Sequence, residues 1–224
     1  MNYQLNAPGS AIRTTVKLPA SKSISNRALI LNALSYSAYD VENLSDCDDT
    51  NLMVKALNSN DRDFNVGAAG TTMRFLTAFL SKVVGEWTIT GTERMKNRPI
   101  KVLVDALNAL GARIEYMEKE GYPPLRIFGS ALQGGEISLP GNVSSQYISA
   151  ILMIAPLTEN GVTLHLEGTI ISRPYIHITL QLMEQYGVRA SWTENTIKVL
   201  PQEYKPIRFT VESDWSAASY WYEI

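Results

Sequence analysis

Apolar positions along the chain alternate between two rhythms. Ile24, Ala28, Leu31 and Leu34 recur at helical spacing and place a helix start near Ser23, which reads as its N-cap. Before it, Thr14–Leu18 is β-branched and roughly alternating and reads as a short strand. The same arrangement returns when Val16-Lys17-Leu18-Pro19 is laid over Ile137-Ser138-Leu139-Pro140, which brings Ser23 onto Ser144 and Leu31 onto Leu152 without a gap. A third copy runs from Val66 through Gly67-Ala68-Ala69-Gly70-Thr71 into Phe75–Leu80, and a fourth opens at Val211. The starts at Ser23, Thr71, Ser144 and Ser216 follow one period with the first unit shortened. Between them lies a second, amphipathic kind of helix. Ile100–Leu110 stops at Gly111 before strand Ala112–Tyr116, Ile176–Tyr186 stops at Gly187 before Val188–Trp192, and Asn51–Asn58 is the shortened version. Leu125–Phe128 and Ile197–Leu200 close their units as strands.

The predicted fold class is therefore α/β, built of three repeated βαβαββ units packed with helices inside and sheets outside. The helices from Thr71 and Ser144 are apolar nearly all round and are expected to be the buried ones. Residues 14–210 read as one domain, since no linker divides them.

Composition narrows the function classes. With 224 residues, 45% hydrophobic and 19% charged, the chain is expected to be a soluble globular protein with a real core. A net charge of −2 argues against general nucleic-acid binding. One cysteine, Cys47, and two histidines, His165 and His177, offer neither an intrachain disulfide nor a thiolate or histidine-rich metal site, and no cofactor is expected. No apolar run approaches the length of a membrane span. The opening Met1–Asn6 has neither a basic region nor an apolar core, so the expectation is no signal peptide and a cytoplasmic chain.

Candidate chemistry sits where strands hand over to helices. Ser21, Lys22, Ser23 and Arg27 surround one helix start, a place that offers unpaired N–H groups and positive partial charge to an anion. Gly67-Ala68-Ala69-Gly70-Thr71 allows close backbone approach but lacks the ending of a Walker loop. Arg94, Lys96 and Arg98 precede a helix that Pro99 is expected to open, where cations oppose the helix dipole. Ser144-Ser145-Gln146 and Ser172-Arg173-Pro174-Tyr175 add hydroxyls, an amide and an aromatic face at two more helix starts. Each loop alone fits capping and turn chemistry; together they favour a shared anionic ligand.

As a set, Leu18–Arg27, Gly70–Arg74, Arg94–Pro99, Ser144–Gln146 and Ser172–Tyr175 resemble the 5-enolpyruvylshikimate-3-phosphate synthase family over about Thr14 to Tyr220. The resemblance implies one domain of a two-domain fold, with the active site in the cleft between domains. It implies enolpyruvyl transfer from phosphoenolpyruvate to the 5-hydroxyl of shikimate 3-phosphate, in aromatic amino-acid biosynthesis, by a glyphosate-inhibited enzyme. By resemblance, Lys22 is catalytic and touches both substrates' region. Ser23, Arg27, Ser144, Ser145, Gln146, Ser172 and Tyr175 hold shikimate 3-phosphate, Arg27 at its carboxylate and the three later serines at its phosphate. Gly70, Thr71 and Arg98, with Lys22 and Gln146, line the phosphoenolpyruvate or glyphosate pocket. Arg74 and Arg94 take structural or electrostatic roles.

Departures from the family pattern are Ala68 for asparagine, Phe75 for proline and His177 for aspartate. Family members are about twice as long, so the expectation is a truncated chain. Residues 1–13 would lead in from the other domain, 14–210 would bind shikimate 3-phosphate, and 211–224 would begin the second domain. Such a chain would be inactive alone, with the missing domain as its partner and a monomeric full-length protein. Trp215, Trp221 and Tyr222 are then expected to be exposed. Competing readings are a non-catalytic phosphosugar-binding module, a relative of the UDP-N-acetylglucosamine enolpyruvyl transferases, and a nucleotide-binding protein.

Overall fold

A computed structural model describes residues 4, 9, 11 and 13–223, so most of segment 1–13 lies outside the described residues. In chain order the first elements are α1 (Lys22–Leu34), β1 (Val41–Glu42) and α2 (Asp48–Leu57). Next come β2 (Asp63–Asn65), α3 (Gly70–Lys82), β3 (Gly85–Thr90), the short α4 (Glu93–Lys96), α5 (Lys101–Ala109), β4 (Arg113–Tyr116) and β5 (Leu125–Gly129). The last third holds β6 (Gly135–Pro140), α6 (Ser145–Ile154), β7 (Val162–Glu167), α7 (Arg173–Gln185), β8 (Ala190–Thr193), β9 (Thr196–Val199), β10 (Phe209–Thr210) and α8 (Trp215–Tyr222).

The repeat is visible in the sheets. One four-stranded sheet runs β2-β3-β5-β4 and the other β6-β7-β9-β8. In each, the first pair is parallel and the remaining pairs are antiparallel. A parallel pair needs a crossover, which α3 and α6 supply, whereas the closing antiparallel pair needs only a turn. The first unit keeps its parallel pair, with β1 beside β10 from the far end of the chain. Among the described residues it has no antiparallel closing pair, because α2 ends at Leu57 and β2 already starts at Asp63, too short a gap for a hairpin. That shortage explains the reduced spacing of the first repeat.

The helices form a ring inside the sheets. α1, α3 and α6 touch one another, while α2 sits between α1 and α3, α5 between α3 and α6, and α7 between α6 and α1. Consequently nearly every residue of α3 and α6 is buried, hydroxyls such as Thr77 and Ser149 included. Such hydroxyls survive in a core only when bonded: Thr77 Oγ1 donates to the Met73 carbonyl at 2.7 Å. One apolar cluster is continuous through this ring and both large sheets, and Ala28, Val41 and Val211 form a small second one under β1 and β10.

Local signals hold in part. Gly111 (φ +98°) and Gly187 (φ +88°) stand just past α5 and α7 in the left-handed region, as stop signals should. Thr14–Leu18, expected as a strand, pairs with no other described residue as a strand; next to it Ala20 makes an isolated bridge to Ser213. Strand propensity without a neighbouring edge does not make a strand. Ser21, not Ser23, caps α1, its Oγ accepting from the Ile24 N–H at 3.5 Å. Asp214 caps α8 by accepting from the Ser216 N–H at 2.9 Å, so that helix begins ahead of Ser216. Residues 211–214 are tied to the head of α1: Ser21 N–H donates to the Glu212 carbonyl at 2.9 Å and Asp214 N–H to the Pro19 carbonyl at 2.8 Å. Beyond that tie, Trp215 is 71% exposed, Trp221 53% and Tyr222 82%. Among the described residues no helix is long and apolar enough to cross a membrane.

Candidate functional site

The starts of the ring helices are joined by direct bonds. Lys22 Nζ, on the first residue of α1, lies 3.2 Å from Asp49 Oδ2 in the first turn of α2. The other oxygen of Asp49 accepts from the Thr71 N–H in the first turn of α3 at 2.9 Å, and its backbone carbonyl accepts from Thr72 Oγ1 at 2.6 Å. Thr71 Oγ1 in turn accepts from Gln146 Nε2, in the first turn of α6, at 3.0 Å. Four helix starts are thus one hydrogen-bonded network. An end of several macrodipoles gathered this way is attractive to anions.

Arg27 joins the start of α7 to this group. Its guanidinium donates to the Ser23 carbonyl at 2.8 Å, to Ser149 Oγ at 2.9 Å, to Thr179 Oγ1 at 2.7 Å and to the Tyr175 carbonyl at 3.5 Å. It lies over the Phe75 ring, 5.3 Å from the centroid. Arg27 is 2% exposed, and all its partners are neutral. Burial pulls its pKa down to about 10, with Tyr175 opposing, so the group stays charged at neutral pH.

Two more guanidiniums meet at Gly70. A Cβ added there would meet Arg98 Nη1 and, at 2.7 Å, Arg74 Nη1, so the two guanidiniums as placed approach the glycine backbone closely and would have to shift to admit a larger residue. Arg74 Nη1 donates to the Gly70 carbonyl at 2.8 Å, its Nε is buried without a partner, and the group lies over Tyr147. The Arg98 pKa is lowered by burial first and then by the charges of Arg74 and Arg94, against the pull of Asp49. Cations held this close without matching carboxylates store repulsion that an arriving anion relieves.

The predicted residues separate into three groups. Lys22, Gly70, Thr71, Arg98 and Gln146 come together around Asp49 and Arg74. Ser23, Ser144, Ser145 and Ser172 lie at the same helix starts. The hydroxyls of Ser23, Ser145 and Ser172 bond to no other described residue, while Ser144 Oγ accepts from the Gln146 N–H at 3.4 Å. Tyr175 is 44% exposed in the first turn of α7. Arg27 belongs to the site but faces inward, bonded to protein, rather than standing free at the helix surface.

The cationic loop before α5 also differs from expectation. Glu93–Lys96 forms its own helical turn, α5 starts at Lys101, and Pro99 lies outside it. Lys96 turns away to Glu118 at 2.9 Å, leaving Arg98 as the loop's contribution at Gly70. His177 stacks on Trp192 at 4.6 Å, so the departure there faces the sheet and not the site. Cys47 precedes α2, with its Sγ 3.3 Å from Thr50 Oγ1.

Sequence reasoning missed Asp49, Ser149, Thr179 and Tyr147, whose hydroxyl donates to the Pro99 carbonyl at 2.6 Å. Asp49 had a signal. It opens the second helix of the first unit, the place that Arg98 and Ser172 occupy in the later units.

A ring of helices whose starts gather cations, hydroxyls and a close-approach glycine makes this an α/β domain with one end chemically suited to an anion. Comparison gives the lineage: the family model described as EPSP synthase (3-phosphoshikimate 1-carboxyvinyltransferase) matches residues 6–60 and 58–223, and the chain belongs to this family. A 3-phosphoshikimate 1-carboxyvinyltransferase of Bacteroides fragilis strain YCH46 is 61% identical over 225 residues, covering all of this chain and 55% of that protein. One of Vibrio campbellii is 43% identical over 242 residues, covering 95% of this chain and 57% of its own length. The chain thus spans a little over half the length of these relatives. A solved EPSP synthase from Acinetobacter baumannii shares the fold with a TM-score of 0.81 at 21% identity, over 92% of this chain and 51% of that one.

Proposed function

We propose that this chain carries the shikimate 3-phosphate-binding half of an enzyme that transfers enolpyruvyl from phosphoenolpyruvate to the 5-hydroxyl of shikimate 3-phosphate. The observation that carries the proposal is the joined set of helix starts, in which Lys22 pairs with Asp49, Arg98 feels the charge of that carboxylate with Arg74 beside it, and Arg27 bonds neutral groups just below. Ser23, Ser144, Ser145 and Ser172 hold the phosphorylated sugar-like substrate, and Tyr175 lies along its ring. Lys22, Gly70, Thr71, Arg98 and Gln146 hold phosphoenolpyruvate, for which glyphosate is a competitor. Arg27 supplies charge at the substrate carboxylate, its Nη1 carrying a second N–H besides the one given to the Ser23 carbonyl.

Residues 14–210 are the binding domain under this proposal, with 1–13 and 211–224 continuing into a second body. That body is the natural cover for Trp215, Trp221 and Tyr222, and it supplies the remaining catalytic groups. The complete protein acts as a cytoplasmic monomer without a cofactor.

The test is a titration of the labelled chain with shikimate 3-phosphate, followed by amide chemical shifts. The expected outcome is movement at Ser23, Thr71, Ser145, Gln146 and Ser172. Shifts confined to other regions, or none, would remove the ligand from this site.

A further inference from the structure

Asp49 stands where an anion would. Its two carboxylate oxygens take the Lys22 ammonium at 3.2 Å and the Thr71 N–H at 2.9 Å, an ammonium and a helix-start amide being the donors that a phosphate or carboxylate ligand uses. Its side chain is 16% exposed while that of Lys22 is 46% exposed, so the carboxylate is the fixed member of the pair and the lysine the mobile one. Around it are Gln146, on the Thr71 hydroxyl at 3.0 Å, and Arg98, whose charge Asp49 partly offsets. The neighbouring Asp48 is exposed and makes no ion pair with a described residue.

We propose that Asp49 is a built-in competitor for the phosphoenolpyruvate anion, holding Lys22 and Thr71 in the empty chain and yielding them when the ligand arrives. This rests on the site assignment above. The carboxylate keeps the cation cluster partly neutralised when empty, and it repels the ligand's negative charge when filled. Asp49 therefore sets the affinity of the subsite. An asparagine there still accepts from the Thr71 N–H, so the start of α3 stays capped while the competing charge is gone.

Calorimetric titration with phosphoenolpyruvate tests this on the whole chain and on Asp49→Asn, Asp48→Asn and Lys22→Ala. Asp49→Asn is expected to bind about tenfold tighter, since a like charge a few ångströms away is removed from a partly desolvated site. Asp48→Asn removes the same charge from the same helix turn and is expected to change affinity less than about twofold. Lys22→Ala is expected to bind more weakly. A merely structural Asp49 would give the opposite sign, weaker binding with a lower melting temperature. Should Asp49→Asn fail to fold, Asp49→Ser offers a second neutral capping side chain with the same expected direction. Unchanged or weaker binding in a folded Asp49→Asn, with the parent chain binding and Lys22→Ala impaired, overturns the inference and leaves the site assignment standing. No binding by the parent chain or by Asp49→Asn overturns both.

Discussion

Supplied with phosphoenolpyruvate and shikimate 3-phosphate together, the 224-residue chain is expected to release no phosphate above the uncatalysed rate. Addition and elimination of an enolpyruvyl group need a proton delivered to the methylene carbon and another taken from the attacking hydroxyl, each by a positioned group. Among the described residues, Asp49 is the carboxylate bonded into the site, and both its oxygens are engaged by Lys22 and the Thr71 N–H. Glu93 is exposed on the short α4 and lies 3.8 Å from Lys96. The cations that would steady a departing phosphate are present, chiefly Lys22 and Arg98, but among the described residues no free carboxylate stands beside them to move the protons. Binding without positioned acid and base leaves a bimolecular problem, and positioning is worth many orders of magnitude in rate. A continuous phosphate-release assay checks this. Activity is expected when the remaining length of a relative is supplied, covalently or by mixing. Turnover by the chain alone, abolished in Lys22→Ala, would place the catalytic groups within these residues.

Arg27→Met is expected to bind shikimate 3-phosphate about thirtyfold more weakly while folding no less stably, the loss matching one charge-assisted bond of about 2 kcal/mol. The stability half follows from the surroundings. Ser149 and Thr179 remain bonded to each other at 2.8 Å, and Thr179 still donates to the Tyr175 carbonyl at 2.9 Å, so these acceptors are not orphaned. Methionine fills much of the same volume against Phe75. The charge itself is costly: burial lowers the pKa from the usual guanidinium range to about 10, so the unfolded chain holds this proton more tightly than the folded one. That cost is present in full below pH of about 10 and is relieved only as pH rises from there toward the pKa of a free guanidinium. At neutral pH the methionine variant escapes it, which offsets the lost hydrogen bonds. Urea denaturation beside calorimetric titration separates the two effects. A much lower unfolding midpoint with unchanged affinity would make Arg27 a structural tie and not part of the anion site.

Legibility followed the range of the forces involved. Apolar periodicity is local and repeated, so the units, the buried α3 and α6 and the stops at Gly111 and Gly187 could be read directly from the chain. A strand depends on a neighbour far along the sequence, and Thr14–Leu18 finds none among the described residues while β10 travels to β1 from the other end. Capping turned on which serine has extended backbone, a choice between Ser21 and Ser23 that spacing leaves open. The site loops were legible as residue types at corresponding places. How they join was not, because Asp49 is linked to Lys22 and Thr71, and Arg27 to Ser149 and Thr179, only once the helices close into a ring. Arg27 shows the limit most plainly. Its charge suggested a fork for a ligand, and the ring buried that fork against Ser149 and Thr179.

The central claim is that the gathered helix starts recognise a phosphorylated ligand through its phosphate. Calorimetric titration of the chain with shikimate 3-phosphate, and in parallel with shikimate, tests it most directly. Measurable binding of shikimate 3-phosphate is expected, with at least about tenfold weaker binding of shikimate, since Ser144, Ser145 and Ser172 would have no phosphate to meet. Equal affinities for the two, or binding of neither, would contradict it.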